Sequence, residues 1–407
     1  MKGINLSNLR ELANLRELAP PGLIKNGATP IGVDFGTSAL KAVQLTSAES
    51  PALVSAACLE TPDELRAEPS RRLAWQMAQL PDLVRAAGFK GRRAICALPS
   101  VLTVCKHMRF PRTEGVTIDA HVKTAAPVQL ECDPAAVVLR HIEVGDLTAG
   151  AGAGKTEVIC MAASRELVLR LMKSMRNARL EPVGMHSEFQ ATLKAVSHIA
   201  VGADGEARLV LDIGAGGSKV MIAHGGKIVF ARRIDLGGRH LDEAIASRGG
   251  ASLAEARQRR LRMTSLTSAP AMEGSAGSGA GSGAGMALLN AAMRKEGARS
   301  GAAVADRPDT LAEPLEILTD DISACLRYHR STFPDQPVES LVFLGGESRH
   351  TPMCQHVARA LGLPAQIADP LSRVRRTGSE PVVGVDLGGP QPGWALAIGL
   401  CMSPADL

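Results

Sequence analysis

Two short stretches of the sequence combine the residue types that hold a phosphate chain. Val33-Asp34-Phe35-Gly36-Thr37-Ser38 and Leu211-Asp212-Ile213-Gly214-Ala215-Gly216-Gly217-Ser218 share one plan: an apolar run, Asp-x-Gly, small or hydroxyl-bearing residues, then a second apolar run. A strand-turn-strand with such a tip presents backbone N–H groups and hydroxyls with no bulk in front of them, a shape that clasps phosphate oxygens. Asp34 and Asp212, just inside the strand ends, are placed to hold Mg²⁺ through its water shell. Lys41 adds positive charge beside the first turn. One Asp-x-Gly says little, because such turns are common. Two of them, each between strands, suggest two domains of like topology facing one another. A third element, Leu341-Val342-Phe343-Leu344-Gly345-Gly346-Glu347-Ser348, runs a strand into a Gly-Gly turn. A base or ribose can lie against such glycines because no Cβ blocks the approach.

Other motifs carry less. Ala149 to Thr156 nearly matches a phosphate-binding P-loop, but a P-loop enters a helix and Val158 to Ala162 reads as a strand, so a hairpin loop is expected. Val385-Asp386-Leu387-Gly388-Gly389 is a third Asp-x-Gly; Pro390 and Pro392 follow, which bars a pairing strand and predicts a loop. The ten histidines show no ligand spacing, so no metal site is expected from them. Glu188 is either a water-positioning base or a plain helix-cap or surface residue.

Alternating strand and helix patterns must position these motifs. Strand patterns cover 31–34, 40–45 and 52–59; a helix over 71–87 ends at Gly88 or Gly91. Strands at 94–98 and 101–110, a helix at 117–130, strands at 137–144 and 158–162 and a helix at 165–178 follow. A second block gives strands at 209–213, 219–223 and 228–233 and helices at 239–247 and 253–263. Ser275 to Gly285 reads SAGSGAGSGAG, which cannot bury a core; 264–308 is expected to be largely a flexible linker. Order resumes with a helix at 311–331, a strand at 340–344 and helices at 352–361 and 393–402. Residues 1–29 form a separate tail, in which NLRELA occurs twice and predicts a short amphipathic helix stopped by Pro20-Pro21.

Composition narrows the class. The 407 residues are 45% hydrophobic and 21% charged, so the chain is globular rather than disordered. Aromatics at 2% exclude base stacking on single-stranded nucleic acid, and a net charge of +5 is too small for a nucleic-acid coat. The basic clusters at Arg92-Arg93, Arg257 to Arg262 and Arg373 to Arg376 read as solvated faces. Eight cysteines without a CxxC pair read as buried thiols in a reducing compartment. No signal-peptide pattern or bilayer-length apolar run occurs, and the expected location is the cytoplasm.

In this order the motifs resemble those of the actin-like ATPase superfamily, which includes actin, Hsp70, sugar kinases and FtsA. Within it the chain most resembles the PilM family of type IV pilus assembly. The matching stretches are 31–45, Ala97-Leu98-Pro99-Ser100, 209–222 with 233–238, Ala254-Glu255, 341–348 and 395–402. The resemblance implies an α/β, ribonuclease H-like fold of two lobes with Mg-ATP between them. It assigns Asp34, Gly36, Thr37, Ser38 and Lys41 to the first phosphate loop and Asp212, Gly214, Gly217 and Ser218 to the second. It assigns Gly345, Gly346 and Glu347 to the adenosine turn, Gly237 and Gly238 to the Gly-Gly after the second hairpin, and Glu255 to the helix near the adenosine. The first lobe is then 30–91 with 180–200 and 373–402, the second is 201–372, and 92–179 is the inserted subdomain of PilM and FtsA. The partner implied is the cytoplasmic N-terminal peptide of a PilN-like inner-membrane protein, through which a soluble protein reaches the membrane.

Two departures bear on activity. The family often has Ala-Glu-x-x-Lys near the adenosine, and here Gln258 stands where Lys belongs. It also tends to have an Asp after the inserted subdomain, where this chain has His186, with Glu188 the nearest carboxylate. Binding survives such changes better than hydrolysis, so slow or absent turnover is expected. Ile4-Asn5-Leu6-Ser7-Asn8-Leu9-Arg10-Glu11 resembles the PilN tail itself. Ile4, Asn5, Leu6, Arg10 and Glu11 would let the tail occupy the partner groove, in cis as an inhibitor or in trans as a link. The plain alternatives are a surface helix, a disordered tail or a membrane-lying helix. Alternatives for the whole chain are an FtsA-like division protein, a type II secretion component or a small-molecule kinase; nucleic acid is not an expected partner.

Overall fold

Ile31–Phe35 is apolar except at Asp34, and every residue of it is buried, which marks a strand covered on both faces. It is the centre of a six-stranded sheet in a computed structural model that describes residues 27–147, 154–199, 205–263 and 310–406. The strands are β1 (Ile31–Phe35), β2 (Ala39–Leu45), β3 (Leu53–Glu60), β4 (Arg93–Leu98), β5 (Thr103–Pro111), β6 (Val137–Leu147) and β7 (Lys155–Ser164). They continue as β8 (Glu181–Ser187), β9 (Ala207–Ile213), β10 (Ser218–His224), β11 (Lys227–Ile234), β12 (Val338–Leu344), β13 (Ala365–Ile367) and β14 (Val382–Val383). The helices used below are α1 (Pro69–Ala87), α2 (Ile118–Gln129), α3 (Arg165–Asn177), α4 (Glu188–Ile199), α5 (Gly238–Gly249), α6 (Leu253–Arg262), α7 (Ala312–Thr332), α8 (Thr351–Leu361) and α9 (Ala395–Cys401).

The first sheet has the order β14-β3-β2-β1-β4-β8 and the second β11-β10-β9-β12-β13. In each, three consecutive strands form an antiparallel meander and two later strands add in parallel beside the first of them. The repeated hairpin is thus the opening of a repeated sheet. α1 and α3 cover one face of the first sheet through Leu73, Leu80, Leu167 and Leu171. α7 and α8 cover the second through Leu315, Leu318, Met353 and Val357.

α4 belongs to both sheets. Phe189, Leu193 and Val196 pack on Val210 and Met221 of the second sheet, while Ala191 packs on Ile95 of the first and Leu400 of α9. Gly399 lies against the Ala191 carbonyl, where a Cβ would collide, so α4 and α9 meet at backbone contact. A third sheet, β5-β7-β6, carries α2 on one face through Phe110, Val122 and Ala126. Its other side meets the second lobe through Glu157, which is fully buried and accepts from His107 Nδ1 at 2.9 Å, Arg109 Nε at 2.9 Å and Tyr328 Oη of α7 at 2.5 Å.

The structure departs from expectation at several points. β8, α4, β13 and β14 carry no clear pattern in the sequence. β8 contains Pro182 and Gly184 and sits at a sheet edge, where a missing N–H is tolerated. α4 buries a broad arc, with Phe189, Leu193 and Val196 against one sheet and Ala191 against the other, and leaves Gln190, Lys194 and Ser197 on its remaining side. Of the segment 92–179, β4 pairs with β1 and α3 packs beneath that sheet; only β5 to β7 and α2 stand as a separate layer. The cluster Arg257 to Arg262 is not simply a solvated face, since Arg260 is wholly buried. Lys155 opens β7, antiparallel to β6, so the P-loop-like run joins a hairpin; its residues 148–153 lie outside the described residues. Residues 385–389 form a loop. All eight cysteines are free thiols. The partner-like stretch at 4–11 and the linker at 264–308 lie outside the described residues.

Candidate functional site

The two Asp-x-Gly turns face each other so closely that a Cβ on Gly216 would lie 2.6 Å from Thr37 Oγ1. Between them opens a cleft of about 410 Å³, within the range of roughly 300–1,000 Å³ that small-ligand sites occupy. Asp34, Gly36, Thr37, Ser38 and Lys41 line it from one sheet, and Asp212, Gly214 and Gly217 from the other. Gly345, Gly346 and Glu347 close one end, and Glu188 stands at the floor, at the first residue of α4.

Strand register makes the two hairpins alike in a further respect. Asp34 lies directly across from Lys41, and Asp212 directly across from Lys219. Lys41 Nζ donates to the Gly393 carbonyl at 2.5 Å and sits 5.8 Å from the Trp394 ring centre. Lys219 Nζ instead bridges two carboxylates, Glu188 Oε2 at 2.8 Å and Asp212 Oδ2 at 2.9 Å. Glu188 also accepts from the Ser100 N–H at 3.0 Å and the Ser100 hydroxyl at 2.8 Å.

These contacts set the ionisation of the cleft. Burial pushes the Glu188 carboxyl up, but the Lys219 ammonium and the Ser100 donors outweigh it and hold its pKa below the ordinary value. Burial lowers the affinity of Lys219 for its proton, and Asp212 and Glu188 more than restore it, so the ammonium is kept. Asp34 differs. It is 5% exposed and, among the described residues, no hydrogen bond reaches its carboxylate. Burial raises its pKa to about 6; Lys41 opposes this, and Glu188 adds to it.

The Gly-Gly end is shaped by close packing. Gly345 has φ +89, and a Cβ there would meet Asp212 Oδ1 and the Ile213 carbonyl. Gly346 has nothing within 4 Å of where its Cβ would be, so that side of the turn is open to the cleft. Glu347 is buried and accepts from Arg260 Nη2 at 2.8 Å, while Arg260 Nε donates to Asp242 Oδ1 at 2.6 Å. That triad ties α5 and α6 to the turn. Gly237 and Gly238 do not line the cleft: Gly237 packs on the Gly214–Gly217 turn and Gly238 on the Glu347 carboxylate, each where a side chain would collide.

Two more expected site residues lie outside the cleft, as Gly237 and Gly238 do. Ser218 is fully buried and donates to the Leu236 carbonyl at 2.7 Å, so its hydroxyl faces the protein. Glu255 is exposed and caps its own helix, accepting from the Ser252 N–H and hydroxyl at 2.9 Å. A Ser-x-x-Glu box at a helix start explains it fully. From the same helix Arg257 reaches the cleft, joined there by Arg66, Arg72, Arg233 and Arg349.

A family model described as type IV pilus assembly protein PilM matches residues 32–268. The chain belongs to the PilM family. Among solved structures, a PilM-PilN type IV pilus biogenesis complex matches with a TM-score of 0.66 at 20% identity, covering 92% of this chain and 98% of that one. The ethanolamine utilization protein EutJ from Carboxydothermus hydrogenoformans matches at 16% identity and a TM-score of 0.48, over 97% of this chain and 96% of that one. MreB5 of Spiroplasma citri bound to AMPPNP matches at 14% and 0.44, over 84% and 92%. No curated protein matches the chain. The family and the paired sheets establish an actin-like, two-lobed α/β fold with the inserted layer of this PilM-family protein. Among the described residues no helix is long and apolar enough to cross a membrane.

Sequence reasoning missed Lys219 and the cleft arginines. Lys219 was legible in principle: it follows Asp212 at the spacing by which Lys41 follows Asp34. The arginines carry no such signal, because tertiary packing brings them in from separate elements.

Proposed function

We propose that this PilM-family chain is an actin-like scaffold of type IV pilus assembly that binds ATP in the cleft between its lobes. The observation that carries this is the convergence of the two repeated hairpins on one cavity with an open Gly-Gly turn at its end. Gly36, Thr37 and Ser38 on one side and Gly214 and Gly217 on the other would hold the phosphate chain. Lys41 would add charge, and Gly345 and Gly346 would take the adenosine. The first lobe is 30–98 with 165–200 and 373–402, since β4 and α3 join its sheet, the second is 201–372, and the insertion is 99–164.

Hydrolysis is slow or absent in this reading. A general base must want the proton it takes. Three hydrogen bonds, one from the Lys219 ammonium, hold the Glu188 carboxyl below its ordinary pKa and make it a weak base. Mg²⁺ accompanies ATP in the expected arrangement, with Asp34 and Asp212 as its anchors. Asp34 offers an unpartnered carboxylate that suits this; on Asp212, Lys219 holds Oδ2, and among the described residues no hydrogen bond reaches Oδ1.

The partner proposed is the cytoplasmic N-terminal peptide of a PilN-like inner-membrane protein, which would place this chain in the cytoplasm at that membrane. The complex whose fold it shares is one of PilM with PilN. Residues 4–11 would mimic that peptide and compete for its groove. Calorimetric titration of the protein with ATP, and with a PilN-type peptide before and after deletion of residues 1–19, tests both parts. Saturable ATP binding and tighter peptide binding by the truncated chain are expected. No heat with ATP refutes the first part; unchanged peptide affinity and oligomer size refute the second.

A further inference from the structure

α3 turns one side into the first lobe, through Leu167, Leu171 and Met175, and the other side to solvent. The solvent side is basic. Arg165, Arg170, Lys173 and Arg176 are exposed on it, and Glu166 is the one carboxylate of the helix. Glu166 lies 4.0 Å from Arg170, a loose surface contact that neutralises little. Leu169 stands among these cations, 58% exposed. Spacings of three and four residues set Arg165, Leu169, Lys173 and Arg176 in one row along the helix.

The basic side continues past the end of the helix. Arg179 follows it with φ +59. α1, α5 and α8 end on Gly88, Gly250 and Gly362 in that left-handed conformation, and an arginine there meets a steric penalty that glycine avoids. Arg179 is exposed, and its side chain makes no hydrogen bond or ion pair among the described residues; nor do those of Lys173 and Arg176. Two residues on, the Glu181 N–H donates to the Arg92 carbonyl at 2.7 Å, and Glu181 lies across from Arg93. Exposed Arg92 and Arg93 thus stand at the same end as Arg179.

Such a row suits negative charge spread over a surface rather than a single small anion. It runs about 20 Å at 1.5 Å per residue, on the outer side of a helix and not in a groove. Cations of this kind attract acidic lipid headgroups, and an apolar side chain in their midst can enter the boundary with the acyl chains. A nucleic-acid backbone offers Leu169 no such boundary. We infer that the exposed side of α3, extended by Arg179, Arg92 and Arg93, docks flat on an anionic phospholipid bilayer, with Leu169 entering the headgroup layer. None of these residues lines the nucleotide cleft, and the contact needs neither nucleotide nor a partner peptide.

The test is co-sedimentation of the full chain, without partner or nucleotide, with vesicles of phosphatidylcholine alone and of phosphatidylcholine mixed equally with phosphatidylglycerol. Binding to the mixed vesicles only, weakening as salt is raised, is expected. The double variant Lys173→Ala/Arg176→Ala is expected to bind them roughly thirtyfold more weakly, from the attraction each cation contributes near an anionic surface. Leu169→Ala is expected to lose severalfold, a loss that salt does not change. These side chains are exposed, so melts of the variants are expected to match the wild type. No binding to the mixed vesicles at low salt overturns the inference. So does full binding by the double variant, which would assign the contact to another part of the chain, the N-terminal tail included. Binding of polyglutamate through Lys173 and Arg176, with none to vesicles, overturns it in favour of an acidic protein partner.

Discussion

Asp34→Asn is expected to stabilise the protein, and to do so more as pH rises. The Asp34 carboxyl is buried without a hydrogen-bond partner, and burial lifts its pKa from 3.8 to about 6, Lys41 notwithstanding. The folded state therefore binds its proton more tightly than the unfolded state does. Such a group favours folding most below its unfolded pKa, and that contribution is lost as pH rises through the folded value. The two-unit difference corresponds to about 3 kcal/mol once both states are ionised, at about 1.4 kcal/mol per unit. Asn has nearly the same shape and no ionisation. Its advantage over the wild type is expected to grow from about 1.5 kcal/mol near pH 5 to about 3 kcal/mol near pH 8. Urea melts of both proteins at the two pH values measure it, and subtracting the gaps cancels whatever the amide itself changes. A gap that does not widen with pH, or that narrows, refutes the view of Asp34 as an uncompensated buried carboxyl. Retention of so costly a residue makes sense where a ligand uses it.

The same carboxyl predicts how binding responds to pH: Mg-ATP affinity is expected to fall as pH drops through about 6, because a neutral Asp34 no longer anchors the cation, and Asp34→Asn to flatten that profile by calorimetry. Arg260→Met is expected to cost about 3–5 kcal/mol in a urea melt, since it leaves the buried carboxylates of Asp242 and Glu347 without their guanidinium. Tyr328→Phe removes a hydrogen bond to the charged Glu157 that joins the β5-β7-β6 layer to α7; a loss of about 1.5–3 kcal/mol is expected, with faster amide exchange in β5 and β7.

What could be read in advance follows from how local the cause is. β1 with β2 and β9 with β10 were legible because an alternating or fully apolar run on each side of Gly-rich residues encodes a hairpin within some fifteen positions. Gly88 was legible as a helix stop, and it takes φ +67 there. The two hairpins implied two like sheets, and the shared 3-2-1-4-5 strand order bears that out. What was not legible depends on partners distant in sequence. α4 takes its place from two sheets at once, through Val210 and Met221 of one and Ile95 of the other, none of them near it in sequence. Glu188 gains its role from Lys219, 31 positions away, and Ser100, 88 positions away. Glu255 illustrates the converse. A motif match placed it in the site, while the stronger local rule, a capping box with Ser252, already used its carboxylate. Ser218 reads in sequence as a turn-tip hydroxyl; it is the first residue of β10, and that strand turns its side chain inward.

Gly346 permits the most direct test of the cleft as a nucleotide site. Its Cβ position is open and its backbone is not in the left-handed region, so a larger residue fits the fold and fills only the cavity. Calorimetric titration of the wild type and of Gly346→Leu with ATP, alongside their melts, is the measurement. Saturable one-site binding by the wild type, lost in a variant that melts like it, is the predicted result. Absence of binding in the wild type, or equal binding by the two, would contradict it.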